Sequence, residues 1–291
     1  MEGVERLLTA IETSVDCFEV VEAQAGTRVE RSVHSTTIVL FVLAGSGILS
    51  TRDGENIALV TNTLVVLPRG KSVSLQAAPQ TVETDANPDL LLAIGAIRAT
   101  VAGAADLFVV LDAPISHHFG DGAVRHNFLM LADEARAPML GSRALADAVY
   151  SQAIILLIRH RHQGAGAACP WIVATREPRL LPALSAMLDR PADPISLEGL
   201  AELTGMSRSV FADRFAEAFG MSAMEFLRQV RLGRAARLLA TTDIPVKKIA
   251  HAVGYESRSY FSRAFRTRYN IDPSDYRVRG PVREPSTISC A

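Results

Sequence analysis

The sequence is short of most features that mark a special environment. Its 291 residues include three cysteines, Cys17, Cys169 and Cys290, odd in number and widely scattered. A disulfide scaffold needs paired cysteines, and a zinc or redox pair needs CxxC spacing, so both are excluded. No apolar run approaches the ~18 residues of a membrane span. The most apolar windows, such as residues 154–158, meet Arg or His within a few positions. The start carries Glu2, Glu5 and Glu12 where a signal peptide would have a basic patch and an apolar stretch, so a cytoplasmic protein without a leader is expected. Net charge is nearly absent, at −1. With 48% hydrophobic and 21% charged residues, the composition is that of a globular chain, neither disordered nor fibrous. The length suits two domains of about 100–200 residues each.

What is present is unevenly placed. Residues 1–179 hold 14 basic and 19 acidic side chains, a balance of −5, whereas residues 180–280 hold 15 basic and 11 acidic, a balance of +4. Thirteen of those 15 are Arg, whose planar fork suits phosphate and guanine edges.

The first half is β-rich in pattern. Apolar runs at 37–43 (TIVLFVL), 48–51, 57–60 and 64–67 alternate with AGSG, Arg52-Asp53-Gly54 and Pro68-Arg69-Gly70, predicting antiparallel strands of a small barrel or sandwich. Two more strands are expected at 90–97 and 107–111. From Ser142, Leu145, Val149, Gln152 and Leu156 recur at helical spacing, predicting a helix of about 20 residues. A second helix at 177–189 would complete a hairpin joining two domains. The extra apolar residues Ile154, Ile155 and Leu157 suggest a dimer seam.

Beyond Pro194 every segment reads as helix, with Ser196, Ser207, Ser222 and Ser257 as N-caps and Gly205, Gly220, Gly254 and Asn270 at left-handed exits. Two copies of one arrangement stand out, LEGLAELTGMSRSVFADRFAEAFGMS and VKKIAHAVGYESRSYFSRAFRTRYNID. Each has a short helix, a Gly turn, a capping Ser and a second helix with aromatics four apart, the pattern of a helix-turn-helix. Phe261, Phe265 and Tyr269 define one buried stripe, leaving Arg258, Ser259, Ser262, Arg263 and Arg266 for DNA. Phe211, Phe215 and Phe219 define the other, leaving Arg208, Ser209, Ala212 and Asp213, with Glu217, as a weaker reader. The helix between the copies spans roughly 28 Å at ~1.5 Å per residue, near one duplex turn of ~34 Å. Its Arg228, Arg231, Arg234 and Arg237 recur every third residue and so spiral around it, some within reach of phosphate.

The run RLGRAARLLATTDIPVKKIAHAVGYESRSYFSRAFRTRYNIDPSDYR resembles the AraC/XylS family of bacterial transcription regulators. Asn270 stands where Gly is commoner, and Ala212 and Asp213 depart from the long polar readers usual there. The strands around FVLAGSGILSTRDGENIALVTNTLVVLPRGKSVSL resemble the cupin-like effector domain many such regulators carry. The expected fold is therefore α+β with two domains: an N-terminal cupin-like antiparallel β-barrel at 1–135, a helical hairpin linker and dimerisation segment at 136–181, an all-α double helix-turn-helix at 182–280 and a tail at 281–291.

The resemblance implies a sequence-specific transcription regulator, not an enzyme, with double-stranded promoter DNA and an unidentified small-molecule effector; a homodimer is expected from the apolar excess in residues 142–162, and RNA polymerase is a further candidate partner. Arg31, His34, Arg52, Arg69 and Lys71 are candidate effector contacts. Metal-binding cupins usually supply several His and a Glu, but this region offers only His34, so no metal, cofactor or catalytic residue is expected. His117 and His118, with His126 nearby, do not alter that, because adjacent strand residues point to opposite faces; a surface loop is the expected setting. Two rivals stay open: a cupin-type enzyme with a helical accessory domain, and a ligand-independent DNA-binding protein whose β domain only dimerises.

Overall fold

The structure, a computed structural model, describes residues 5, 8–32, 36–70, 72–79, 89–103, 105–108, 111, 113–120, 122–163 and 179–279. It divides into two compact units, one from residues 13–99 and 111–168, the other from residues 1–12, 100–110 and 169–285.

The first unit is built around one long strand. Its strands are β1 (Ile11–Ala23), β2 (Arg28–Ser32), β3 (Thr37–Thr51), β4 (Asn56–Val60), β5 (Thr63–Leu67), β6 (Ser72–Ala77), β7 (Leu90–Val101) and β9 (Ile115–His118), while the short β8 (Ala105–Asp106) is counted with the second unit. β3 pairs antiparallel with β5 and β7 along its first half and with β4 and β6 along its second. The sheet path β1-β7-β3-β5-β9 has free ends, so the antiparallel arrangement is open and not a closed barrel among the described residues.

AGSG was expected as a turn between two strands, and here the structure corrects the sequence. A bulge between Val42 and Ala44, followed by Gly45 at φ +84°, lets one strand pass from one pairing to the other. A Cβ on Gly45 would lie 1.9 Å from the Asp89 carbonyl oxygen, so the close backbone approach requires glycine.

The inner face packs Leu40, Val42, Leu49, Leu59, Val65, Leu75 and Leu92 into one apolar cluster. The other face of the β3–β5–β7 layer is covered by two helices, α1 (Ala123–Arg136) and α2 (Ser142–Gln163), which pack on each other. Phe41 stacks on Phe128 at 4.5 Å, and Phe128 meets Tyr150 edge-on at 5.1 Å. Burial on both faces explains why residues 37–43 are continuously apolar instead of alternating.

Several further expectations change. The partner of α2 in the hairpin is α1, an amphipathic helix that buries Val124, Phe128, Leu131 and Ala132 and was not anticipated. Leu157 and Ile154 are core residues, 2% and 0% exposed, so they are not available as a dimer seam. The strand expected at 107–111 is absent over 107–108: the Asp106 carboxylate accepts from the Phe108 N–H at 2.8 Å and turns the chain after β8. His117 and His118 lie in β9, paired with Leu64 and Thr63 of β5, and not in a loop.

The helices of the second unit are α3 (Leu181–Asp189), α4 (Leu197–Thr204), α5 (Arg208–Phe219), α6 (Ala223–Thr241), α7 (Val246–Ala252), α8 (Arg258–Tyr269) and α9 (Pro273–Arg279). α6 feeds both halves of this module. Phe226, near its start, packs within 5.7 Å of Phe215 and 5.6 Å of Phe219, while Leu232, Ala235, Ala236 and Leu239 join Ile249, Phe261 and Phe265.

Candidate nucleic-acid interface

Both recognition helices begin as their sequence predicts. The Ser207 hydroxyl accepts from the Val210 N–H and the Ser257 hydroxyl from the Tyr260 N–H, each in extended backbone. Ser196 and Ser222 cap α4 and α6 the same way. Each cap satisfies an N–H that helix geometry would otherwise leave without a partner. Gly205, Gly220 and Asn270 end α4, α5 and α8 at φ 64°, 67° and 55°, and Gly254 turns at φ +85°.

The aromatic stripes are fully buried, Phe211, Phe215 and Phe219 in α5 and Phe261 and Phe265 in α8. Every candidate DNA residue therefore falls on the outward side. Arg208, Ser209, Asp213, Arg258, Ser259, Arg263 and Arg266 are exposed, and Ala212 and Ser262 lie at the margin. The same faces present residues that the aromatic spacing alone did not single out. Val210 and Tyr260, at matching positions, are exposed apolar groups at 45% and 56%, and Thr267 lies about two turns beyond Tyr260, where the other helix has Glu217. The signal for them is the helical angle from the buried stripe. A branched or aromatic side chain there can meet a thymine methyl.

Their electrostatics differ. In α5, Arg208 is ion-paired with Glu198 at 3.0 Å, an exposed pair worth about 0–1 kcal/mol. The second copy has Lys247 where the first has Glu198, so that carboxylate is missing near Arg258. Arg263 stands opposite Asp213 in the alignment of the two helices. Arg266 is engaged with Asp272, 3.0 Å and 2.5 Å, tying α8 to the start of α9.

The four arginines of α6 separate by role. Arg228 makes a bidentate pair with Glu225, 2.8 and 2.7 Å, which raises its own pKa and helps hold that of Glu225 below the usual carboxylate range against the effect of burial. Arg231 is half-buried, its pKa lowered by desolvation, and donates to the carbonyls of Pro191 at 2.6 Å and Asp193 at 2.9 Å. Arg234 is exposed, and Arg237 pairs with Glu12. Arg228 and Arg231 line a groove of about 1120 Å³ with Ser222, Tyr255, Ser257 and Tyr260. Burial pushes the Tyr255 hydroxyl up to about 12.

A family model described as a helix-turn-helix domain matches residues 200–279, which run from α4 to the end of α9. Residues 200–279 are a helix-turn-helix domain.

This helix-turn-helix domain is of a kind that binds double-stranded DNA. An uncharacterized HTH-type transcriptional regulator of Haemophilus influenzae is 36% identical over 148 residues, 51% of this chain and 50% of that protein. The HTH-type transcriptional regulator AlkR of Acinetobacter baylyi is 25% identical across 95% of this chain and 99% of its own. A solved AraC-type transcriptional regulator from Chromobacterium violaceum is 29% identical, covering 37% of this chain and 98% of that one, with a TM-score of 0.34. Against the curated relatives it matches first, the chain spans 50% to 59% of their length.

The expected effector contacts are only partly placed. Register aligns Arg31, Val73 and Thr51 across β2, β6 and β3. Arg31 and Arg52 therefore belong to one end of that ladder and Arg69 to the turn that enters β6, and Arg52 and Arg69 are exposed. His34 and Lys71 lie outside the described residues, as does the Arg31 side chain. Among the described residues no cluster of three His, Cys, Asp or Glu could hold a metal, and no helix is long and apolar enough to cross a membrane.

Proposed function

We propose that the chain is a transcription regulator that reads promoter DNA through both recognition helices and answers to a small molecule bound by the β-rich unit. One observation carries the DNA reading: two Ser-capped helices with polar outward faces flank α6, whose 19 residues extend roughly 28 Å. That length suits neighbouring major-groove segments about 34 Å apart. Arg263 is the leading base reader, with Arg258, Ser259 and Tyr260 beside it, while Ser209, Val210 and Asp213 form the second, weaker face. Selection from a randomised duplex pool with the full chain, followed by footprinting, tests this. Two protected segments about one turn apart are expected; a single segment refutes the two-subsite geometry.

The effector is an anion on this reading, since Arg31 and Arg52 lie at one end of the β2–β6–β3 ladder and Arg69 in the turn that enters β6. Thermal shift against a panel of small carboxylates and phosphates tests it, and an unchanged midpoint across the panel would favour a β unit that serves only assembly. A homodimer and contact with RNA polymerase belong to the same proposal. Sedimentation of the full chain checks the first of these.

A further inference from the structure

Arg231 sits where three parts of the DNA-binding module meet. It projects from the middle of α6, and its guanidinium spans two carbonyls, those of Pro191 and Asp193, in the loop that leads into the first helix-turn-helix. The turn of the second helix-turn-helix lies against the same loop and the same guanidinium. A Cβ built on Gly254 would lie 2.9 Å from the Ala192 Cα and 3.0 Å from the Arg231 Cζ. Glycine is therefore required there twice over, for its φ of +85° and for the space. The loop before one reading unit is thus in contact with both the spacer helix and the turn of the other.

This matters because α6 alone leaves one freedom weakly controlled. A helix sets the distance between its ends well, but small changes in packing along it rotate whatever each end carries. A planar fork bonded to two carbonyls resists such rotation in a way a single donor cannot. We propose that Arg231 is the positioning residue that fixes the rotation of one helix-turn-helix relative to the other, and so the spacing between subsites that the domain accepts. The inference rests on the two-subsite reading above. It assigns Arg231 no contact with DNA.

The test uses the full chain and the tandem site that the wild type selects from a randomised pool, remade with one or two base pairs inserted or deleted between the subsites. Each base pair turns one subsite about 34° around the duplex. The wild type should lose roughly tenfold or more in affinity with each such change, the equivalent of about 1.4 kcal/mol. Arg231→Gln, which cannot span both carbonyls, should bind the parent site a few-fold more weakly and vary by less than about threefold across the spacing series. Arg231→Lys keeps the charge without the fork and should fall between the two. Gly254→Ala disturbs the same junction through different atoms and should flatten the series as well, so the result does not hang on one variant. If folded Arg231→Gln keeps the wild-type spacing profile, or loses affinity by an equal factor at every spacing, Arg231 merely supports the fold and the proposal is overturned. Failure of the wild type to select any tandem site would instead overturn the two-subsite reading itself.

Discussion

Arg263 and Asp213 occupy the same place on two recognition helices, yet they offer DNA opposite chemistry. A guanidinium can give two hydrogen bonds to guanine O6 and N7, a contact worth about 1–3 kcal/mol of discrimination, whereas a carboxylate repels phosphate and can only accept, as from cytosine N4. Arg263→Ala should therefore relax base preference at one subsite, and Asp213→Ala should leave preference nearly intact while tightening non-specific binding. Randomised-site selection with each variant decides it, and loss of specificity in Asp213→Ala alone would reverse the ranking. His117 offers a second residue-scale test. Its ring lies tilted 4.9 Å from that of His160 and meets Phe119 edge-on at 4.7 Å, and its pKa is lowered from 6.5 by burial and by His160, Arg161 and His118. The unfolded chain thus takes up this proton first as pH falls. The stability contribution is complete above about pH 6.5 and is lost as pH falls from there through the lower folded value. The urea midpoint should decline over that window, and His117→Gln should make the decline shallower. An identical slope in the variant would assign the effect elsewhere.

At the scale of elements, close packing sets the outcome. Gly95 in β7 faces Tyr150 of α2 so closely that a Cβ would fall 2.4 Å from the ring Cζ. Gly95→Ala should cost about 1–3 kcal/mol by forcing helix and sheet apart. The Tyr150 hydroxyl, by contrast, is buried with no hydrogen-bond partner among the described residues, and burial raises its pKa strongly. Removing it should relieve a desolvated group, so Tyr150→Phe should be neutral or stabilising by about 1 kcal/mol. Urea unfolding of the three proteins gives both values, and a marked loss in Tyr150→Phe would reveal a partner for that oxygen. Leu157→Glu should unfold the β-rich unit instead of dissociating a dimer, because that side chain is already inside the monomer. In the other unit, Ser257→Ala should weaken α8 by about 1 kcal/mol through loss of its cap. The deficit should show as faster amide exchange in the first turn of α8.

For the whole molecule, the separation of charge makes DNA binding strongly dependent on salt. The helical third carries +4 against −5 in residues 1–179, so binding should follow local phosphate contacts and not the net charge of −1. log K should fall linearly with log salt, by about 0.9 per phosphate neutralised, and a flat response would exclude an arginine–phosphate interface. Most of this helical module was legible in the sequence. Ser207 and Ser257, the glycine exits and the four-residue aromatic spacing act over one or two helical turns, so local order specifies both the helices and their exposed faces. The β-rich unit was less legible because its pairings join distant residues. Nothing local in AGSG distinguishes a turn from a bulged strand, and only the approach of Asp89 to Gly45 decides it. The apolar residues of α1 recur at helical spacing, but its role as the partner of α2 depends on the sheet face both helices cover. The same division runs through the arginines. Their number and three-residue spacing follow from the sequence alone, but which one bonds the loop at Pro191, which pairs with Glu225 and which stays exposed depends on chain segments brought together by folding, and so belongs to the tertiary structure.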